Sequence, residues 1–202
     1  MSPPISGSGA APKPFERVMV FIDGAWLREI CDKYFGKKNS LLIQTKQSFS
    51  HLSLLFKHLF NTYSPNPFRA NLIRIYYYDA IVDEKHPEYE MQRKYFNIID
   101  DQYAYTVRKR KLVKSSKSGF KQKGVDVLMA IDALTKAYRD HYDTGMFMMG
   151  DGDFVPLIEA VKDAGKKTMC VYYPPNSSDD LIRCCDMRID FDDKMIEGLL
   201  KK

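Results

Sequence analysis

Short apolar runs, each the length of one strand, alternate with segments of helical periodicity along most of this chain. The first run, Arg17–Ile22, is continuous and rich in β-branched and aromatic residues, which favours a strand buried on both faces. Further strands are predicted at Asn71–Asp79, Tyr103–Val113, Gly145–Met149 and Lys167–Tyr173. Strands that alternate with helices form βαβ units, so we expect an α/β fold with a mostly parallel sheet and helices on both faces.

The segments between these strands predict the helices. The segment Gly124–Tyr138 is apolar on most sides, so we expect this helix to be largely buried. The helix after Pro87 carries an apolar stripe that includes Met91. The other predicted helices are Ala25–Tyr34, one through Leu52–Leu59 closed by Pro65 and Pro67, one through Phe154–Val161, a short one near Leu181, and Asp192–Leu200.

Length and composition limit the class of protein. A chain of 202 residues, 45% apolar and 28% charged, fits one globular domain, which we place at residues 15–202 after a disordered tail at 1–14. No apolar stretch is long enough to span a membrane, and the N-terminus lacks the pattern of a secretion signal. Four cysteines are too few for a disulfide scaffold. A reducing compartment, most simply the cytoplasm, fits this cysteine content.

Aspartates stand where the predicted strands end. Asp23 directly follows the first strand, Asp79 ends the second, and Asp151 and Asp153 follow the fourth. Asp126 opens the helix that comes after the third strand. In a parallel sheet the carboxyl ends of the strands meet at one edge, where loops and helix N-termini form sites. We therefore expect several of these carboxylates to converge there.

Clustered carboxylates repel one another, and a positive ion among them is the usual solution. Mg²⁺ or Mn²⁺ takes oxygen ligands, activates a water and stabilises the leaving oxygen in phosphodiester cleavage. Each acid also has a simpler interpretation: Asp126 and Asp153 as helix caps, Asp23 and Asp151 as turn residues. Because all four occupy strand-to-helix edges, we favour a metal cluster.

Three short motifs carry these acids. They are Phe21–Gly24 (Phe-Ile-Asp-Gly), Lys123–Asp126 (Lys-Gly-Val-Asp) and Gly150–Phe154 (Gly-Asp-Gly-Asp-Phe). In this order, and over about residues 17–191, they resemble the signature motifs of the NYN domain family, LabA-like branch, of the PIN-like nuclease superfamily. The resemblance implies a Rossmann-like three-layer α/β/α sandwich, a divalent ion and RNA as the substrate. It carries over Asp23, Asp126, Asp151 and Asp153 as catalytic and metal-site acids, and leaves Asp79 open.

Two positions differ from the family's pattern. Trp26 stands where the family has Asn, and Met149 stands where it has Ser or Thr. Neither side chain can replace a compact hydrogen-bonding group. Two functions therefore stay open: a metal-dependent endoribonuclease, and a non-catalytic RNA-binding or regulatory module with a degenerate nuclease pocket.

A stripe of eight basic residues without an acid, here called the basic stripe, runs from Arg108 to Lys123. Removing its eight charges from the net charge of +5 leaves −3 for the rest of the chain. Lys and Arg that neutralise phosphates supply most non-specific affinity for nucleic acid, whereas a small-molecule phosphohydrolase would need few such contacts. A solvated flexible loop is the other interpretation, since serines and a glycine lie inside the stripe.

We expect RNA, single-stranded or structured, to be the partner. A homodimer stays open. The residues assigned to RNA binding are Arg108, Arg110, Lys114, Lys117, Lys121 and Lys123.

Overall fold

The structure, a computed structural model, describes residues 15–35, 46–63, 70–115, 119–121 and 124–200. The tail predicted at 1–14 and the helix-closing prolines Pro65 and Pro67 lie outside these ranges. The strands are β1 (Glu16–Asp23), β2 (Ala70–Ile81), β3 (Tyr105–Lys111), β4 (Val113–Ser115), β5 (Gly119–Lys121), β6 (Thr144–Met148), β7 (Lys167–Tyr172) and β8 (Met187–Asp190). The helices are α1 (Gly24–Phe35), α2 (Lys46–Tyr63), α3 (Tyr89–Asp100), α4 (Val125–Tyr138), α5 (Val155–Asp163), α6 (Asp179–Cys184) and α7 (Asp193–Leu200).

Six strands form one parallel sheet in the order β3-β2-β1-β6-β7-β8. The strands β4 and β5 form a separate antiparallel hairpin. The strands β2 and β3 lie on one side of β1, and the later strands β6, β7 and β8 lie on its other side. The point between β1 and β6 is therefore the topological switch point, where open α/β sheets form their sites.

Helices cover both faces of the sheet, which confirms the α/β/α sandwich predicted from the sequence. The strand β1 shows why, because its alternate residues enter two different cores. Val20 and Ile22 pack in the core under α1, α2, α3 and α7, whereas Phe21 packs in the core under α4, α5 and α6. On that second face the Phe21 ring stacks against Tyr76 and Phe147, with centroids 5.8 and 5.2 Å away.

Two expectations about burial were wrong. Val127 and Ile131 of α4 are 59% and 55% exposed, because only the face that carries Met129 meets the sheet. In α3, Met91 is 50% exposed, and Phe96 fills the buried stripe. None of the helices in the described ranges is long and apolar enough to cross a membrane.

Candidate active site at the switch point

Asp23 is the last residue of β1, and its carboxylate turns back over the start of α1. Its Oδ1 accepts the backbone N–H groups of Ala25 at 3.0 Å and Trp26 at 3.2 Å. Burial, with a smaller contribution from the nearby Asp126, raises the pKa of Asp23 to about 6, against the lowering effect of the two N–H groups and of Arg28. Ionised Asp23 at neutral pH therefore costs folding free energy, because its carboxylate is buried.

Asp126 lies in the first turn of α4. Gly124, at the N-cap, has φ of 81°, a left-handed conformation that glycine adopts without strain and that sets the direction in which α4 begins. Desolvation raises the pKa of Asp126, and the carboxylates of Asp151 and Asp153 raise it further. Asp126 therefore lies within electrostatic reach of Asp23 on one side and of the acids after β6 on the other.

Asp151 and Asp153 lie in the turn that follows β6. Asp151 is the N-cap of the short 3₁₀ helix Gly152–Phe154, and its Oδ1 accepts the N–H of Asp153 at 3.0 Å. Both side chains are exposed. The two acids therefore face solvent at the carboxyl end of β6, beside the switch point.

The predicted site residues therefore share one edge of the sheet, and Asp126 links them electrostatically. The chemistry of four carboxylates suits a hard divalent cation, since a positive ion would stabilise carboxylates whose pKa is raised by burial first and by mutual repulsion after it. In the part of the chain that the structure describes, no three His, Cys, Asp or Glu side chains are arranged to hold a metal ion together. The assignment of Asp23, Asp126, Asp151 and Asp153 as metal ligands stays a prediction.

Asp79 has a different partner. It is fully buried, on the sheet face covered by α1, and forms an ion pair with Arg28 of that helix. Its Oδ1 also accepts the N–H of Ala80 at 2.7 Å, and the Tyr77 hydroxyl lies 3.4 Å from Oδ2. Sequence reasoning missed Arg28, which neutralises Asp79 and also lowers the pKa of Asp23.

The two positions that differ from the family's pattern are both buried. Trp26 is 5% exposed, and its indole N–H donates to the backbone carbonyl of Asn176 at 2.8 Å. Met149 is fully buried in the core under α4, α5 and α6. Each side chain therefore has a packing role, and Asn176 is a contact of the site region that no sequence pattern indicated.

The basic stripe begins on β3, which is an edge strand of the sheet. Arg108 is level with Asp23, because both pair with Tyr78 of β2, and two strand spacings separate the backbones by about 10 Å. The Arg108 side chain lies 3.2 Å from Asp132 and over the Tyr76 ring, so part of its charge is used within the fold.

Further along the stripe, the side chains are exposed, or they belong to residues whose side chains the structure does not describe. Arg110 is exposed on β3. Lys114 and Lys121 lie on the hairpin strands β4 and β5, of which the structure describes the backbone. Lys117 and Lys123 lie outside the described residues.

A parallel sheet with this strand order, helices on both faces and aspartates at the switch point defines a Rossmann-like α/β domain. The chain belongs to the NYN domain family, whose pattern matches residues 17–193. NYN domains are part of the PIN-like nuclease superfamily, so the chain is a nuclease-like domain. NYN nuclease domains generally use divalent metals.

Comparison with solved structures supports the fold. A protein of unknown function from Vibrio parahaemolyticus aligns with a TM-score of 0.63 at 18% identity, over 91% of this chain and 98% of its own. A protein named as a candidate UDP-N-acetylglucosamine 2-epimerase from Listeria monocytogenes aligns with a TM-score of only 0.38 at 10% identity, over 93% of this chain and 42% of its own. No curated protein matches the sequence.

Proposed function

We propose that the protein is a metal-dependent endoribonuclease of the LabA-like branch, in which Asp23, Asp126, Asp151 and Asp153 hold Mg²⁺ or Mn²⁺. The observation that carries the proposal is the placement of four carboxylates at the ends of β1 and β6 and at the start of α4, beside the switch point. Burial first, and the repulsion among these acids after it, raise the pKa of Asp23 and Asp126. When bound, the ion supplies an activated water and neutralises charge on the leaving oxygen.

The protein's own groups prepare this chemistry. The N–H groups of Ala25 and Trp26 hold one oxygen of Asp23 and leave Oδ2 for a ligand. The N-terminus of α4 places Asp126 where the helix dipole favours a negative charge. Asp151 and Asp153, being exposed, are open to an ion and to a phosphate from solvent.

The position of the basic stripe supports RNA as the substrate. Along the chain the stripe leads through β3 and the β4–β5 hairpin directly to Gly124 and Asp126 at the start of α4. Arg110 on β3 is exposed and available to a phosphate. A polyanion bound along the stripe would therefore pass close to the acidic edge.

One observation favours the alternative, a non-catalytic RNA-binding module. Within the described ranges no three acids are arranged to hold an ion, and Trp26 is held by Asn176 rather than presenting a polar group to the site. Such a module would keep the basic stripe and the acidic edge without turnover.

Cysteine chemistry supports a location in the cytoplasm, which we propose as well. All four cysteines are free thiols: Cys31, Cys170, Cys184 and Cys185. Free thiols persist in a reducing compartment.

The experiment compares wild type with Asp151→Asn, which removes one carboxylate charge and keeps the size. Cleavage of single-stranded RNA with Mn²⁺ should fall at least about 100-fold, since metal assistance is worth several kcal/mol and each 1.4 kcal/mol is tenfold in rate. RNA affinity without metal should hold or rise slightly, because a repelling charge is gone. The matched control is Asp83→Asn, an exposed aspartate that also accepts a backbone N–H two residues on.

The outcomes separate the two functions. If wild type binds RNA and does not cleave it with either ion, the protein is the binding module. If Asp151→Asn cleaves as fast as wild type, the proposed metal mechanism is wrong.

A further inference from the structure

One residue, Trp26, contacts the chain at the ends of both strands that flank the switch point, through its backbone at β1 and through its side chain after β6. The backbone N–H of Trp26 donates to Asp23 at the end of β1, at 3.2 Å. Its indole N–H donates to the carbonyl of Asn176, in the turn after β7, at 2.8 Å. The same indole packs against Gly150, which directly precedes Asp151.

The contact at Gly150 is close. A Cβ at this position would lie 2.2 Å from both the Trp26 Nε1 and the Asn176 carbonyl oxygen, so no side chain fits there. The Gly150 carbonyl accepts the N–H of Ser178 at 2.8 Å. The backbone just before Asp151 is thus held between α1 and the turn that leads to α6.

An indole is suited to holding two backbone segments together. It is a rigid, largely apolar group with one N–H, and here that N–H has a partner. Trp26 is 5% exposed, so water does not compete strongly for the contact. A displacement of the turn at Gly150 would also displace Trp26, and the backbone N–H of Trp26 holds the carboxylate of Asp23.

We propose that Trp26 is a positioning residue of the candidate metal site, which fixes the Asp151 turn relative to the Asp23 carboxylate. The inference rests on the proposed function. Residues that orient metal ligands typically change metal affinity or activity by about 10- to 100-fold when they are replaced. Where sequence comparison indicates a lost polar group at position 26, the structure assigns it a support for two of the acids.

The test measures Mn²⁺ binding by isothermal titration calorimetry on the full chain, without RNA, at about pH 8. Trp26→Phe keeps an aromatic ring and loses the N–H, and it should bind Mn²⁺ about 10-fold or more weakly than wild type. The control is Phe60→Leu. Phe60 is a buried aromatic of α2 that lies beside Val18 and Ala70, near the N-terminal ends of β1 and β2 and away from the acids. This control should lower stability and leave the Mn²⁺ affinity unchanged.

A second readout needs no metal. Hydrogen exchange of the Asp153 amide, which donates to Asp151, should speed up in Trp26→Phe and stay at the wild-type rate in Phe60→Leu. If Trp26→Phe folds poorly, Gly150→Ala perturbs the same contact from the other side and should show the same two changes.

The outcomes are distinct. Wild-type Mn²⁺ affinity in Trp26→Phe, or an equal loss in Phe60→Leu, overturns the positioning role and leaves the proposed function standing. If wild type binds no Mn²⁺, the proposed function fails and this inference falls with it.

Discussion

Replacing Asp23 by Asn should make the metal-free protein more stable at about pH 8. Asp23 has its pKa raised from 3.8 to about 6, chiefly by burial, so the folded state binds its proton more tightly than the unfolded state does. Stability therefore falls as pH rises from about 4 to about 6, and the loss is complete above that window. Asn carries no charge and keeps an oxygen for the N–H groups of Ala25 and Trp26.

The size of the effect follows from the shift. One pKa unit corresponds to 1.36 kcal/mol, so a change from 3.8 to about 6 is a penalty of about 3 kcal/mol in the ionised form. We expect Asp23→Asn to recover about 2–3 kcal/mol of unfolding free energy. For a chain of this size that is a rise of about 5–10 °C in Tm.

The assay is urea denaturation of wild type and variant between about pH 4 and pH 8, without divalent ions. The difference between the two should be small at the acid end and grow until about pH 6. Asp83→Asn is the control, because this exposed carboxylate accepts a backbone N–H in a similar turn, and it should change stability by less than about 0.5 kcal/mol.

A metal titration completes the test. Mn²⁺ at about 100 times its Kd should stabilise wild type by about 2.7 kcal/mol, and it should stabilise Asp23→Asn far less. The reasoning is refuted if Asp23→Asn is no more stable than wild type at pH 8, because then the carboxylate carries no penalty in the fold.

Three further results are expected. Mn²⁺ affinity should decline as pH falls through about 6, because protons compete for Asp23, and a calorimetric profile with its midpoint near pH 4 would contradict this. Asp79→Ala should cost about 3 kcal/mol in urea denaturation, because it leaves the Arg28 guanidinium without its buried partner, and a cost below about 1 kcal/mol would mean that the pair is solvated. Replacing the exposed Arg110 and Lys111 with Ala should lower the log–log salt slope of binding to single-stranded RNA by about 0.7 for each lost phosphate contact, and an unchanged slope would place RNA elsewhere.

Local patterns predicted most of the sheet. Five strands, β1, β2, β3, β6 and β7, were found within a few residues of their ends. Four of them contain dense apolar runs, because burial on both faces demands such runs, whereas β3 is an edge strand that is largely exposed. The strand β8 was missed, since its four residues Met-Arg-Ile-Asp are too few to show a period. The strands β4 and β5 were missed because their composition resembles a loop, and because each is only three residues long and depends on its partner strand.

The acids of the site were predicted by the same logic, whereas their surroundings were not. Residues that follow a strand directly, such as Asp23, can be placed at the sheet edge from the sequence. The pairing of Asp79 with Arg28 depends on which face of β2 meets α1, and the contact of Trp26 with Asn176 joins residues 150 positions apart. No local period records such contacts.

Met149 allows a last prediction that separates packing from chemistry. Its side chain is fully buried under α4, α5 and α6, so a polar residue there would enter the core instead of the acidic edge. Met149→Leu conserves volume and should cost less than about 1.5 kcal/mol, whereas Met149→Ser should cost about 3 kcal/mol through the cavity and the buried hydroxyl. Both variants should bind Mn²⁺ like wild type once the unfolded fraction is accounted for. If Met149→Ser instead strengthens Mn²⁺ binding or RNA cleavage while Met149→Leu does not, position 149 belongs to the site after all, and the core assignment is wrong.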